Sequence, residues 1–276
     1  MLTLNCKGKI LSLQTPVVMG ILNVTPDSFY TGHLNDGIQT MRRLAGEMLA
    51  AGAGMIDVGG QSTRPGSERV AANDEWKRIQ PVIQEILLSY PEAIISVDTY
   101  HSQVARLAIE AGAAIINDVS GGEMDPEMIG IVGSLKVPFV CMHMKGTPEH
   151  MQKLAVYDDL LAEILDYFIQ KIEQCTEAGI HDIIVDPGFG FAKNIQQNFE
   201  LLKKMGTLQI LGKPILAGLS RKSTIYKTLG ITAAEALNGT TVLNSIALLN
   251  GASILRVHDV KEAMETIQLI EAYRSA

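Results

Sequence analysis

The chain has 276 residues, 47% of them apolar and only 5% aromatic, and carries a formal net charge of -7. That length fits one α/β barrel, which spends about 250 residues on a single core. The acidic balance opposes unspecific attraction to nucleic acid or an anionic membrane, and the scarcity of aromatic residues argues against a stacking surface for bases. An anionic substrate would therefore need a locally basic site.

At the start, Met1 to Gln14, Lys7 and Lys9 interrupt the hydrophobic stretch and break up any signal-peptide core. No apolar run approaches the roughly 20 residues of a membrane span. Cys6, Cys141 and Cys175 are odd in number, widely spaced and set among apolar neighbours. They read as buried free thiols in a reducing compartment and not as a disulfide framework. A cytoplasmic protein with no nucleic-acid or membrane partner is expected.

In chain order, Val17–Leu22 reads as the first barrel strand, followed by the irregular connection Val24–Asp36 and a helix over Gly37–Ala53. Met55–Val58 is the second strand; the irregular connection Gln61–Asn73 and a helix over Ala72–Ser89 follow it. Then come strand Ile94–Val97, helix Ser102–Ala111, strands Ala114–Ile116 and Phe139–Met142, and the longer helix Tyr157–Ala178. Ile183–Val185, Ile215–Ala217 and Ile254–Val257 complete a set of eight strands. Several helices end in Ala-Gly, a stop signal. Alternating strands and helices imply a parallel sheet, and eight such units without a composition break imply a closed (β/α)8 barrel, the TIM barrel, with a short N-terminal β-hairpin extension before it. An open doubly wound sheet is the structural alternative.

The residues that end these strands carry more information than the strands. They are Asn23, Asp57, Asp98, Asn117-Asp118, His143, Asp186, Ser220-Arg221-Lys222 and Arg256-Val257-His258. Barrel enzymes hold their chemistry at the C-terminal strand ends, so these groups are expected to converge in one mouth. A single Asp there reads equally well as a helix N-cap, but polar groups at all eight ends exceed what capping explains.

Three partial motifs fail. Gly188-Phe189-Gly190 starts like a dinucleotide fingerprint, but Lys193 stands where its third glycine belongs. Gly218-Leu219-Ser220 starts like a nucleophile elbow, but position 222 is Lys. Cys141 and His143 share a strand face, yet no comparable ligand set accompanies them to hold zinc. The basic clusters are the better signal. Lys222 and Ser223 open a helix after the seventh strand, and Arg256 and His258 leave the eighth, a region where barrels often bind phosphate. The connections 24–36 and 61–73 have the length of lids or binding loops.

Longer segments carry a family resemblance. Met19-Gly-Ile-Leu-Asn-Val-Thr-Pro-Asp-Ser-Phe29 and Asp57-Val-Gly-Gly-Gln-Ser-Thr-Arg-Pro-Gly66 resemble the two defining segments of dihydropteroate synthases. The resemblance continues through Ser96–Thr99, Ile116–Gly121, Met142–Gly146, Asp186–Phe191, Ser220–Ser223 and Arg256–Asp259. Two places depart from the family pattern: Tyr30-Thr31-Gly32-His33 replaces the usual Asp-Gly-Gly, and Gln61 replaces a common Glu.

The resemblance implies one pterin-binding barrel domain over 1–276 that joins a pterin diphosphate to 4-aminobenzoate, working as a homodimer. Asp98, Asn117 and Asp186 would hold the ring, with Met142, Phe191 and Lys222 closing over it. Arg64, Arg256 and His258 would meet the departing diphosphate, and Asn23 would carry Mg²⁺. Phe29, Thr63, Pro65 and Ser223 would form the 4-aminobenzoate pocket, and Asp98, Lys222 and Arg64 would be the catalytic set. A methyltransferase domain that binds a pterin, or a non-catalytic pterin carrier, remains as the alternative; the first needs no diphosphate and so no basic clusters, and the intact connections 24–36 and 61–73 oppose the second.

Overall fold

The computed structural model describes residues 2–24, 34–62, 67 and 69–276. A hairpin comes first, β1 (Thr3–Cys6) and β2 (Lys9–Ser12), joined through Lys7 and Gly8. Both turn residues have positive φ, 54° and 89°, as the tight hairpin turn that matches strand twist requires. The lysines that break the hydrophobic start anchor the hairpin: Lys7 Nζ donates to Ile109 O and Lys9 Nζ to Pro91 O, each at 2.7 Å.

Eight parallel strands follow: β3 (Val17–Asn23), β4 (Met55–Gly59), β5 (Ile95–Asp98), β6 (Ile115–Asp118), β7 (Phe139–Met142), β8 (Ile183–Asp186), β9 (Leu216–Ala217) and β10 (Ile254–Val257). They run in the order β8-β7-β6-β5-β4-β3-β10-β9, and a parallel bridge between Val185 and Ile215 brings the two ends together. The expected barrel is therefore the observed one, and the open sheet is not. Helices pack outside: α1 (Leu34–Ala50), α2 (Ala72–Ser89), α3 (Ser102–Glu110), α4 (Met128–Leu135), α5 (Leu160–Glu177), α6 (Ile195–Lys204), α7 (Ser223–Leu229), α8 (Leu237–Leu249) and α9 (Val260–Ser275). None of the described helices is long and apolar enough to cross a membrane.

Most boundaries shift from expectation by one to three residues, and two shifts have a clear physical reason. Helix α1 begins at Leu34, inside the stretch read as irregular, and ends before Gly52, whose φ of 101° only glycine adopts easily. The seventh strand shrinks to Leu216–Ala217, because Ile215 makes only the closing bridge.

Side chains alternate across each strand, which divides the barrel into an outer and an inner core. Ile56, Val58, Ile95, Val97, Ile116, Cys141 and Val185 face the helices. Met19, Met55, Ile115, Val140, Ile184, Leu216 and Ile254 form a separate inner cluster that Leu4 and Cys6 of the hairpin and Leu13 just beyond it plug from below. Cys6, Cys141 and Cys175 are buried and unpaired.

Candidate active site

The next inward position on each strand, two residues further on, is where the chemistry sits. Above Met55 stands Asp57, above Ile115 stands Asn117, above Val140 Met142, above Ile184 Asp186, and above Ile254 Arg256. The inside of the barrel thus carries one apolar layer and, toward the C-terminal strand ends, one largely polar layer.

Arg256 lies across that layer. Its Nε donates to Asp57 Oδ2 and its Nη2 to Asp98 Oδ2, both at 2.6 Å, so one guanidinium joins β10 to β4 and β5. Asp57 is fully buried and its Oδ2 also accepts from Asn117 Nδ2 at 2.9 Å. Burial pushes the Asp98 carboxyl up to about 7; Arg256 opposes this, and Asp57, Asp118 and Asp186 reinforce it. Asp98 Oδ1 is buried and has no partner among the described residues. A buried acceptor left over in this way is a group that a ligand donor would satisfy.

Asp186 faces the same space from β8. Burial raises its pKa, against the pull of Lys222 and of the Gly188 N–H, which donates to Asp186 Oδ1 at 2.8 Å. Lys222 is itself lowered to about 8 by burial. Its Nζ donates to Phe189 O and lies 4.7 Å from the centre of the Phe191 ring. Phe191 and Met142 belong to a small apolar cluster with Tyr100, Val119, Met144 and Met151. A flat ring held by Asp186 and Asn117 would therefore meet apolar surface on its faces.

The loop after β8 is gripped from behind by a residue read in the sequence only as a failed glycine. Lys193 is buried and its Nζ donates to His143 Nδ1 at 3.0 Å, Phe191 O at 3.1 Å and Gly188 O at 3.2 Å. Desolvation lowers Lys193 to about 7 and pushes the His143 imidazole down to about 2. His143 is thus a neutral acceptor for a lysine. Cys141, two residues earlier on the same face, packs into the outer core, and no group of three or more His, Cys, Asp or Glu among the described residues is arranged to hold a metal.

Not every polar strand end turns into the mouth, which corrects the expectation that all converge there. Asp118 follows Asn117 and so faces outward, where it accepts from Ser120 N, Ser120 Oγ and Gly122 N at 2.7 to 2.8 Å. Arg221 pairs in a two-point contact with Asp259, Nε to Oδ2 at 2.8 Å and Nη2 to Oδ1 at 2.7 Å, and is lost to the anion cluster. Ser220 receives the His258 N–H at 3.2 Å and in turn lies 3.0 Å from His258 Nδ1, which fixes that ring beside Arg256. Ser223 opens α7, half-buried, directly after Lys222. Asn23 ends β3, exposed and opposite Gly59. Phe29, Thr63, Arg64 and Pro65 lie outside the described residues, as does the Tyr30–His33 departure.

Gln61, the other departure, is buried behind the mouth. Its Nε2 donates to Glu75 Oε2 at 3.1 Å, and its Oε1 accepts from Tyr100 OH at 2.7 Å. Thr99 Oγ1 donates to the same Glu75 oxygen at 3.0 Å. A second carboxylate at position 61 would have faced Glu75; the amide supplies a donor instead.

A closed parallel barrel with buried carboxylates and cations interleaved at its C-terminal mouth defines an α/β-barrel enzyme. Residues 19–258 match the family model described as pterin binding enzyme. The chain is 42% identical over 272 residues to the dihydropteroate synthase of Escherichia coli strain K12, covering 98% of this chain and 96% of that protein. Among solved structures, Yersinia pestis dihydropteroate synthase in a sulfonamide drug complex superposes with a TM-score of 0.93 at 39% identity, over 100% of both chains. Xanthomonas albilineans dihydropteroate synthase with 4-aminobenzoic acid gives 0.92 at 37% identity, over 99% of this chain and 98% of that one. The chain belongs to the pterin binding enzyme family, among the dihydropteroate synthases.

Proposed function

We propose that the barrel mouth joins 6-hydroxymethyl-7,8-dihydropterin diphosphate to 4-aminobenzoate, yielding 7,8-dihydropteroate and diphosphate, a transferase step of folate biosynthesis. The observation that carries this reading is the inner polar layer, where Asn117, Asp186 and Arg256 stand at the strand ends and Lys222 acts on Asp186 from the start of α7. The 2-amino-4-oxo edge of a pterin has adjacent N–H donors that match one carboxylate, and its opposite edge mixes donor and acceptor as a primary amide does.

In the reaction the bond from the exocyclic carbon to the diphosphate oxygen breaks, and its electron pair leaves with the diphosphate. The ring nitrogens delocalise the resulting cation, and the Asp98 carboxylate is assigned to stabilise it. The aminobenzoate nitrogen then bonds to that carbon and gives up a proton. Asp186 and Asn117 orient the ring, and Met142, Phe191 and the Lys222 stem cover it. Arg256, His258 and Arg64 are assigned to the departing anion; such preorganised charge contacts are the largest contribution a protein makes to this kind of step.

Mg²⁺ is assigned to Asn23. One neutral amide oxygen at an exposed strand end is compatible with a hard cation that keeps most of its water. When bound, the ion would neutralise diphosphate charge. Phe29, Thr63, Pro65 and Ser223 are assigned to 4-aminobenzoate. A homodimer is supported by the exposed apolar side chains Leu229, Val242, Ile246, Leu249, Leu269 and Tyr273 on α7, α8 and α9. A cytoplasmic location is supported by the three buried free thiols.

The test is release of diphosphate from the dihydropterin diphosphate, followed with and without 4-aminobenzoate and Mg²⁺. Release that depends on both additions supports the reading. Tight pterin binding with no release would leave a carrier.

A further inference from the structure

Asn117 and Arg256 were assigned above to different ends of the substrate, yet a single oxygen holds both. Asp57 Oδ2 accepts from Asn117 Nδ2 at 2.9 Å and from Arg256 Nε at 2.6 Å, and Arg256 Nη2 continues to Asp98 at 2.6 Å. The four residues therefore form one hydrogen-bonded line across the mouth, from β6 through β4 and β10 to β5. Its partners are 60 and 199 residues away from Asp57 in the chain, and Asp57 has no exposed surface with which to touch a ligand itself.

We infer that Asp57 is a positioning residue that fixes the amide orientation of Asn117 and the reach of Arg256, so that ring recognition and leaving-group stabilisation are set by one carboxylate. The chemical reason is the one-sidedness of the group. Asp57 Oδ2 already accepts from the guanidinium, so it meets Asn117 as an acceptor and Asn117 must turn its NH₂ toward it. That choice leaves the Asn117 carbonyl oxygen and one remaining N–H for a ligand, a mixed pair of defined polarity. Without Asp57 the amide could rotate by half a turn and present that pair reversed.

Arg256 is constrained in the same way. Held at Nε by Asp57 and at Nη2 by Asp98, the guanidinium plane has no freedom to swing, whatever end of the substrate it serves. Both constraints act through Asp57 Oδ2, which means that loss of the charge is felt at two places at once. A carboxylate that only filled space would be felt at neither.

The inference rests on the assignment of Asn117 to the pterin, so the test is built to separate the two. Pterin affinity is measured by calorimetry for the wild type, Asp57→Asn, Asn117→Ala and the double variant, and kcat is measured alongside. Asp57→Asn is expected to weaken pterin binding at least tenfold, in line with the loss of a hydrogen bond to a charged group, and to lower kcat as well. Because Asp57 acts through Asn117, the double variant should bind pterin within about twofold of the weaker single variant, far from the product of the two effects. Independent, multiplying effects would overturn the positioning role while leaving Asn117 on the ring. An Asn117→Ala variant with unchanged pterin affinity would instead remove Asn117 from the ring, and the positioning role with it. Should Asp57→Asn fail to fold, the wild-type Asn117 side-chain amide, identified by its loss from the NMR spectrum of Asn117→Ala, gives the same decision. Slow exchange of its protons is expected, and solvent-like exchange contradicts the hydrogen bond to Asp57.

Discussion

Glu75→Gln should cost stability in acid and recover it, relative to the wild type, as pH rises toward 8. Glu75 is fully buried under the mouth; its Oε2 accepts from Gln61 and Thr99, while Oε1 has no partner among the described residues. Burial raises its pKa to about 8 from an ordinary 4.5, more than the two hydrogen bonds can offset. Between those values the folded protein holds a proton that the unfolded chain has released. The stabilisation linked to that proton is complete below pH 4.5 and is lost as pH rises through 8. From pH 5 to pH 8 this corresponds to about 3 kcal/mol, taken as an order of magnitude. Glutamine keeps one oxygen for Gln61 and Thr99 and places an NH₂ where Oε1 was, a cost of about 1–3 kcal/mol that does not vary with pH. Urea denaturation of both proteins at several pH values reads the difference directly, and it should grow by about 3 kcal/mol in favour of the variant over that range. Two stability curves that run parallel from pH 5 to 8 would show that Glu75 is ionised in the fold and would refute the reasoning.

Asp186→Asn should weaken binding of the free pterin by about 2 to 5 kcal/mol, since a charged acceptor becomes an amide with a misplaced donor; calorimetry with pterin alone checks it. His258→Ala should spare that affinity and slow turnover about 10²-fold, because its assigned partner is the leaving group; pterin affinity that falls in step with kcat would contradict the division. His143→Gln should flatten the acid side of the stability profile. The imidazole is held near 2 against an ordinary 6.5, so its contribution is complete above 6.5 and is lost as pH falls, by about 3 kcal/mol at pH 4. A variant that loses stability in acid as steeply as the wild type would exclude His143 as the cause.

The barrel was legible because parallel strands buried on both faces read as short apolar runs, and a polar residue closing each run stands out. Asp98, Asn117, Asp186, Lys222 and Arg256 all lie where that reading expected them, at strand ends or just beyond. What it overstated was their common direction. Asn117 and Asp118 are neighbours on one strand and must face opposite sides, so alternation alone excludes Asp118 from the mouth. Arg221 is different: its two-point contact with Asp259, 38 residues on, depends on how two loops meet. Lys193 shows in the sequence only as the residue that breaks a glycine motif, because its burial depends on carbonyls at Gly188 and Phe191 that only a folded loop brings together.

The same layer explains how a chain of net charge -7 can offer a site for an anionic substrate. Overall charge acts at long range and is screened within about 10 Å at ordinary salt, whereas the mouth works by contact. There, Asp57, Asp98 and Asp186 face Lys222 and Arg256, and burial moves the groups toward neutrality: Asp98 rises to about 7 and Lys222 falls to about 8. A pterin brings N–H donors, which favour the ionised forms of Asp98 and Asp186. A diphosphate brings negative charge, which favours the protonated form of Lys222. The two ends of one substrate therefore push the acids and the bases in opposite directions, each toward the charged state that binds it. In a layer where Arg256 already bridges Asp57 and Asp98, that opposition lets ring and leaving group be held together without any large surplus of positive charge.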